Sequence, residues 1–219
     1  MKPRLWLSWS SGKDSAWALH VLRQRDDFEI AGLLTTINEA ASRVAMHAVR
    51  EVLLEKQAEA AGVPLIKVPI PSPCSNEAYE AAMTKAMGRA KDAGVTVMAF
   101  GDLFLEDVRK YRVEKLAPTG IEPAFPIWGL DTPDLAREMV SSGLRAHVTC
   151  VDPKQLDPSF AGRTFDDAFL DNLPAGVDPC GENGEFHSFA FAGPMFSAPI
   201  AVTAGEVVER DGFVFADLM

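Results

Sequence analysis

Short apolar runs alternate with longer amphipathic stretches through the first half of the chain, the pattern of a parallel sheet wrapped by helices. Leu5 to Trp9 predicts a first strand, and Ser15 to Gln24 a helix with Trp17, Ala18, Val21 and Leu22 on one face. Ile30 to Ile37 predicts a second strand. Ser42 to Ala61 predicts a long helix, stopped by Gly62 with Pro64 beyond it, and places Met46 in the core and His47 in a packing or surface position. Leu65 to Ile70 follows as a third strand, Asn76 to Ala93 as a helix ended by Gly94, and Val95 to Phe100 as a fourth strand. Phe104 to Leu116 carries mixed charge on one face and predicts a further helix.

Pro118, Gly120, Pro123 and Pro126 then break regular structure. This stretch divides the chain into residues 1–125, an α/β parallel-sheet, three-layer domain, and residues 126–219, a smaller C-terminal α+β domain. In the second part Thr132 to Ser141 reads as a helix, Leu144 to Val151 as a strand and Phe165 to Asn172 as a short helix. A loop through Pro174, Gly176, Pro179, Gly181 and Gly184 leads into alternating Phe186, Phe189 and Phe191, and the last 30 residues read as β-rich. Edge strands there leave room for a homodimer.

Composition narrows this picture without redirecting it. With 219 residues, 47% of them hydrophobic, the chain can bury one substantial core or a core domain with a smaller partner. Polar residues from Ser8 onward interrupt the first apolar stretch, and no apolar run reaches the roughly 20 residues that cross a bilayer, so a cytoplasmic protein is expected, with no membrane partner. A net charge of −10 argues against a broad nucleic-acid groove. The three cysteines, Cys74, Cys150 and Cys180, have no C-x-x-C spacing, so reduced thiols are expected rather than disulfides or a zinc site. Cys180 has no basic group beside it in sequence, which favours a buried structural thiol over a nucleophile. His20, within the first helix, reads as a packing or surface residue.

Candidate chemistry concentrates where the first strand meets the first helix. Ser10-Ser11-Gly12-Lys13-Asp14-Ser15 would present backbone N–H groups at the positive end of a helix dipole, with Lys13 as a cation and three hydroxyls as donors, which makes an anion site. It is not the mononucleotide loop G-x-x-x-x-G-K-[ST], because Leu7 stands where the first glycine would be. Asp14 can hold a metal ion or complement the helix dipole. Thr35, Thr36 and Gly101-Asp102 lie near the C-terminal edges of strands, where open parallel sheets bind ligands, and Asp102 can accept from a ribose or cap the next helix. Arg109, Lys110 and Arg112 can face phosphates or form a solvated helix face.

The hexapeptide resembles the S-G-G-x-D-S pyrophosphate loop of PP-loop ATP pyrophosphatases, with Ser11 in place of the first glycine. Together with Gly101-Asp102, Arg112-Val113-Glu114, Pro126-Ile127-Trp128 and the stretch Asp178-Pro179-Cys180-Gly181-Glu182-Asn183-Gly184-Glu185-Phe186-His187-Ser188-Phe189, it resembles the diphthine ammonia ligase family and its bacterial relatives over nearly the whole chain. His187 stands where those ligases usually carry Glu, and Ser188 where they usually carry Thr.

The resemblance implies an adenine nucleotide alpha hydrolase-like fold and an ATP-dependent amide ligase. Such an enzyme adenylates a carboxylate, releases pyrophosphate and captures ammonia. It implies ATP and Mg²⁺ as cofactors, with Ser10, Ser11, Gly12, Lys13, Asp14, Ser15, Thr35, Gly101, Asp102 and Arg112 around the nucleotide, Asp14 on the metal, and Lys13, Asp14 and Glu185 in catalysis. Trp128, Gly181, Glu182, Asn183, Gly184, Glu185 and Ser188 would hold the acceptor, a small carboxylate or a modified protein side chain, the lesser alternative for the glycine loop being a hairpin with its Glu residues in solvent. A tRNA-modifying PP-loop enzyme and a non-catalytic ATP-binding regulator are the competing readings.

Overall fold

The computed structural model describes residues 1–38, 43–44 and 49–219. The first half builds a parallel sheet from β1 (Arg4–Ser8), β2 (Glu29–Asn38), β4 (Leu65–Ile70), β5 (Val95–Ala99) and β6 (Glu122–Ala124), in the order β4-β2-β1-β5-β6. Leu7 at the centre pairs with Leu33 on one side and Ala99 on the other. Side chains alternate across this sheet as a period of two requires. Leu5, Leu7, Leu33 and Ala99 face one core, whereas Trp6, Leu34 and Met98 face another.

Helices α1 (Lys13–Arg25) and α2 (Glu51–Ala61) cover the first face, and α3 (Asn76–Asp92) and the end of α4 (Glu106–Leu116) cover the second. The chain after α4 adds α5 (Thr132–Ser141), β7 (Arg145–Val151), β8 (Thr164–Phe165), α6 (Asp167–Asn172), β9 (Phe186–Ala192), β10 (Ala204–Arg210) and β11 (Phe213–Leu218). The β strands among these form an antiparallel sheet centred on β7, with β9 on one edge and β8 and β11 on the other. Its apolar residues, including Val148, Phe186 and Phe189, join the same core as Leu7 and Trp17. Helix α1 therefore lies between two sheets. That explains why its buried set, Lys13, Ser15, Ala16, Trp17, Ala18, Leu19 and Leu22, is wider than the single predicted stripe.

Two expectations are corrected. Arg43–Val44 is not helical but a short strand, β3, which pairs antiparallel with Ile37 and Asn38. Helix α2 begins at Glu51, with Arg50 in extended conformation as its N-cap. Ser42, Met46 and His47 lie outside the described residues. The proline-rich stretch is also not wholly irregular. Glu122–Ala124 pairs with β5 at the sheet edge, where Pro123 removes no ladder bond that the interior would need. Among the described residues no helix is long and apolar enough to cross a membrane.

Candidate functional site

Trp9 closes β1 by donating its N–H to Leu34, and the Thr35 hydroxyl donates to the Trp9 carbonyl at 2.7 Å, so the chain leaves the sheet in a fixed direction. Ser11 then takes φ = 69°, a left-handed conformation that glycine enters freely and serine does not. Its carbonyl turns into the core and accepts from Ala190 N at 2.9 Å and from Gln57 Nε2 at 2.9 Å. Gly12 caps α1 in extended conformation without a side-chain cap. Its N–H reaches the Ser10 hydroxyl at 3.3 Å, and that hydroxyl lies 3.2 Å from Ser15 Oγ. The positive end of the helix dipole, the hydroxyls of Ser10 and Ser15 and the turned peptide stand together here, an arrangement that can take an anion.

The start of this loop opens on a cavity of about 810 Å³ on the α3/α4 face. Ser8, Trp9, Ser10, Thr35, Thr36 and Arg112 line it together with the apolar Leu34, Met83, Met87, Met98 and Phe100. Across its mouth Lys115 of α4 pairs with Glu80 of α3. The cavity thus sits beside the C-terminal ends of β1 and β2, where open parallel sheets take their ligands.

Gly101 serves this site through space. A Cβ there would lie 3.0 Å from backbone atoms of Asp14 and Ser15, so a side chain at this position would press on the first turn of α1. Asp102 does not cap α4, whose N-cap is Leu105 without a side-chain bond. It accepts from Arg112 Nε at 3.5 Å instead, and burial raises its pKa against the pull of that guanidinium. Arg112 also stacks over Phe100, 4.8 Å from the ring centre. Arg109 covers Trp128 at 4.7 Å, which gives one face of that indole a resident cation, and Lys110 is an exposed partner of Glu114.

Lys13 turns away from the cavity. Its ammonium, 1% exposed, donates to both Asp14 oxygens at 2.9 and 2.8 Å and to the Cys180 carbonyl, and lies 5.2 Å from the centre of the Phe186 ring. Although burial works to lower it, the Asp14 carboxylate holds the Lys13 pKa above its usual value. Burial raises Asp14, with Asp178 adding to the effect and Lys13 opposing it. Lys13 N donates to Ser188 Oγ at 3.2 Å, so the first helical residue is bound to the C-terminal sheet through both backbone and side chain.

The loop from Asp178 to Ser188 is folded inward, and the alternative of a hairpin with its carboxylates in solvent is overturned. Glu185 is 3% exposed and accepts from Asp178 N and Asn183 Nδ2, both at 3.0 Å, while its Oε2 has no hydrogen-bond partner among the described residues. Glu182 accepts from Leu103 N at 2.8 Å, and burial, with Asp14 and Asp102 adding, pushes its pKa up to about 7. Gly181, at φ = 70°, would drive a Cβ to 2.8 Å from the Phe186 carbonyl. Gly184 is also left-handed but has open space where a Cβ would go. Cys180 is buried and its thiol is pushed far up by burial, as a structural cysteine would be. His20 stacks on Trp17 at 4.7 Å, a packing role.

Residues 4–120 match the diphthamide synthase N-terminal domain, and residues 131–215 match the diphthamide synthase C-terminal domain. The chain belongs to the diphthamide synthase family. It is 35% identical to a diphthine–ammonia ligase of Homo sapiens over 118 residues, which is 51% of this chain and 44% of that protein. Diphthine–ammonia ligases of Bos taurus and Rattus norvegicus are each 33% identical, over 51% and 56% of this chain and 44% and 47% of their own lengths. The matched stretch thus spans less than half of these relatives. Ser11 takes a backbone angle of the kind glycine favours, and the Ser188 hydroxyl accepts from the first N–H of α1. Burial and the neighbouring Lys13 lower the His187 pKa, which favours the neutral imidazole. The buried Gln57 and the Asp178 carboxylate, which accepts from Glu182 N at 2.8 Å, are site residues that the motif alone does not assign. A polar side chain within the α2 stripe of Leu53, Leu54, Ala58 and Ala61 is the one signal that points to Gln57.

Proposed function

We propose that the chain is an ATP-dependent amide ligase, with residues 1–125 taking the nucleotide and residues 126–219 the acceptor. The observation that carries this reading is the position of the phosphate loop. It has the cavity at its start, through Ser8, Trp9 and Ser10, and the acidic loop at its end, through Lys13, Asp14 and Cys180. A nucleotide with its adenosine in the cavity and its phosphates on the loop would bring the α-phosphate toward the Asp178–Ser188 segment.

In the first step an acceptor carboxylate oxygen attacks the α-phosphorus and the bond to pyrophosphate breaks. In the second, ammonia attacks the acyl carbon, AMP leaves with the bonding pair, and the amide nitrogen gives up its extra proton. The loop amides, Ser10 and Ser15 would stabilise the charge on the leaving pyrophosphate. Lys13 would hold Asp14 and the acidic loop in register rather than touch the phosphates. Glu185, with its second oxygen free of protein donors, would accept from the incoming amine or the acceptor.

Asp14 fits a magnesium ion of the ATP-bound kind, because its carboxylate is a quarter exposed and such an ion takes one or two carboxylates with phosphate oxygens and water. Bound there, such an ion would supply charge neutralisation on the phosphates. No cluster of three or more His, Cys, Asp or Glu of metal-holding geometry occurs among the described residues, so a dedicated protein cage plays no part in the proposal. The acceptor is a carboxyl group on a small molecule or a modified protein side chain, diphthine being the one named by the relatives, and the setting is cytoplasmic. Incubation with α-labelled ATP, Mg²⁺, ammonium and a panel of carboxylic acids should yield labelled AMP and an equal amount of pyrophosphate and amide. Bound but unconverted ATP across the panel would favour a nucleotide-sensing role, and ADP with phosphate would refute α-phosphorus attack.

A further inference from the structure

We propose that Gln57 is a positioning residue for the phosphate loop: its side-chain amide holds Ser11 in the left-handed conformation and so turns the Gly12 N–H outward, to the side of Ser10. Gln57 is fully buried in α2, far from either ligand-bearing loop in sequence. Its Nε2 donates to Ser11 O at 2.9 Å and to Ala190 O at 2.6 Å, which uses both amide protons. Its Oε1 accepts from Trp9 Nε1 at 3.0 Å, which fixes which way round the amide sits. One side chain thus joins the end of β1, the phosphate loop and the strand that carries Ser188.

The consequence follows from peptide planarity. A trans peptide points its carbonyl and the next N–H in opposite directions. With the Ser11 carbonyl held inward by Gln57 and Ala190, the Gly12 N–H is forced outward to the side of Ser10, a residue of the cavity wall. A glycine at position 11 would visit this conformation unaided, whereas serine needs the clamp. Gln57 is therefore the structural answer to the serine at a glycine position. It touches neither substrate nor reacting atoms, and it acts through Ser11.

This role rests on the nucleotide reading above, and two ligands separate the outcomes. Titration calorimetry in Mg²⁺ buffer would compare ATP with adenosine, which lacks the phosphates, on the wild type, Gln57→Met and Gln57→Met with Ser11→Gly. The expected result is ATP binding weakened about tenfold or more in Gln57→Met, adenosine binding within about twofold of wild type, and ATP affinity largely restored by the added Ser11→Gly. Equal weakening of both ligands, unchanged ATP affinity, or no rescue by Ser11→Gly would overturn the positioning role while leaving nucleotide binding intact. A wild-type protein that binds neither ligand would overturn the nucleotide reading itself and this role with it. Should Gln57→Met not fold, Gln57→Asn, whose shorter amide cannot span Ser11 O and Ala190 O together, is expected to give the same selective loss of ATP and is judged by the same outcomes.

Discussion

At the scale of single residues, Glu182 combines a structural bond with a displaced titration. It accepts the Leu103 N–H, yet burial and the neighbouring Asp14 and Asp102 carboxylates raise its pKa to about 7 in the folded protein. In the unfolded chain a glutamate titrates near 4.3. Between these values the native state holds a proton that the unfolded state has released. The stability Glu182 contributes is therefore full below about pH 4 and is lost as pH rises through about 7. Glu182→Gln keeps an oxygen for Leu103 and removes the charge. Its melting temperature should match wild type near pH 5 and exceed it at pH 8, and a difference that does not grow over that interval would place the charge in a better-solvated setting. Ser11 is a second residue whose context overrides its type, because its left-handed angle is sustained by two bonds onto its carbonyl rather than by its own preference.

At the scale of elements, the strands and helices with strong periodicity were legible from the chain. Leu65–Ile70 and Thr132–Ser141 have the predicted bounds, and the strand-loop-helix around Ser10 to Ser15 stands where the pattern put it. Pairing with distant partners was not legible. Arg43–Val44 and Glu122–Ala124 are strands because β2 runs on past the end of β1 and β5 has a free side, and nothing within either segment announces it. In the site, the loop residues were legible because their backbone chemistry is local. Gln57, the inward folding of Glu182 and Glu185, and the turn of Lys13 away from the cavity depend on contacts between elements. Gly101 shows how tight such contacts are, since the end of β5 passes against the first turn of α1 with no space for a methyl group. The atoms in the way are backbone and cannot swing aside. Gly101→Ala should therefore destabilise by about 1–3 kcal/mol, in the manner of overpacking. Urea unfolding checks this, with a lower midpoint at unchanged slope expected. A loss below about 0.5 kcal/mol, the level of an ordinary surface substitution, would mean that α1 slides to accommodate the side chain.

At the scale of the molecule, the two matched family segments share one core rather than meeting at a surface. Trp17 and Leu19 of α1 belong to the same buried cluster as Phe165, Phe186 and Phe189 of the C-terminal half, and Lys13 crosses the junction to Cys180 and Ser188. Removing the C-terminal half would expose the far side of α1, so neither half buries its apolar surface alone. Calorimetry should accordingly show a single transition with equal calorimetric and van't Hoff enthalpies. Lys13 is the charge on which this junction turns, because Asp14 and Glu182 bring carboxylates to it from both halves. Lys13→Met preserves the stem that packs against Phe186 and Phe165 but leaves Asp14 without its cation. Breaking a buried pair in this way costs about 3–5 kcal/mol, and the low end applies because the Asp14 side chain keeps a quarter of its exposure. The added change Asp14→Asn should recover part of that loss, since it removes the orphaned charge. Both variants are expected to melt in one transition at lower temperature. A transition that splits in two, with the C-terminal half melting separately, would mean that the halves are held together by this ion pair and not by the shared core.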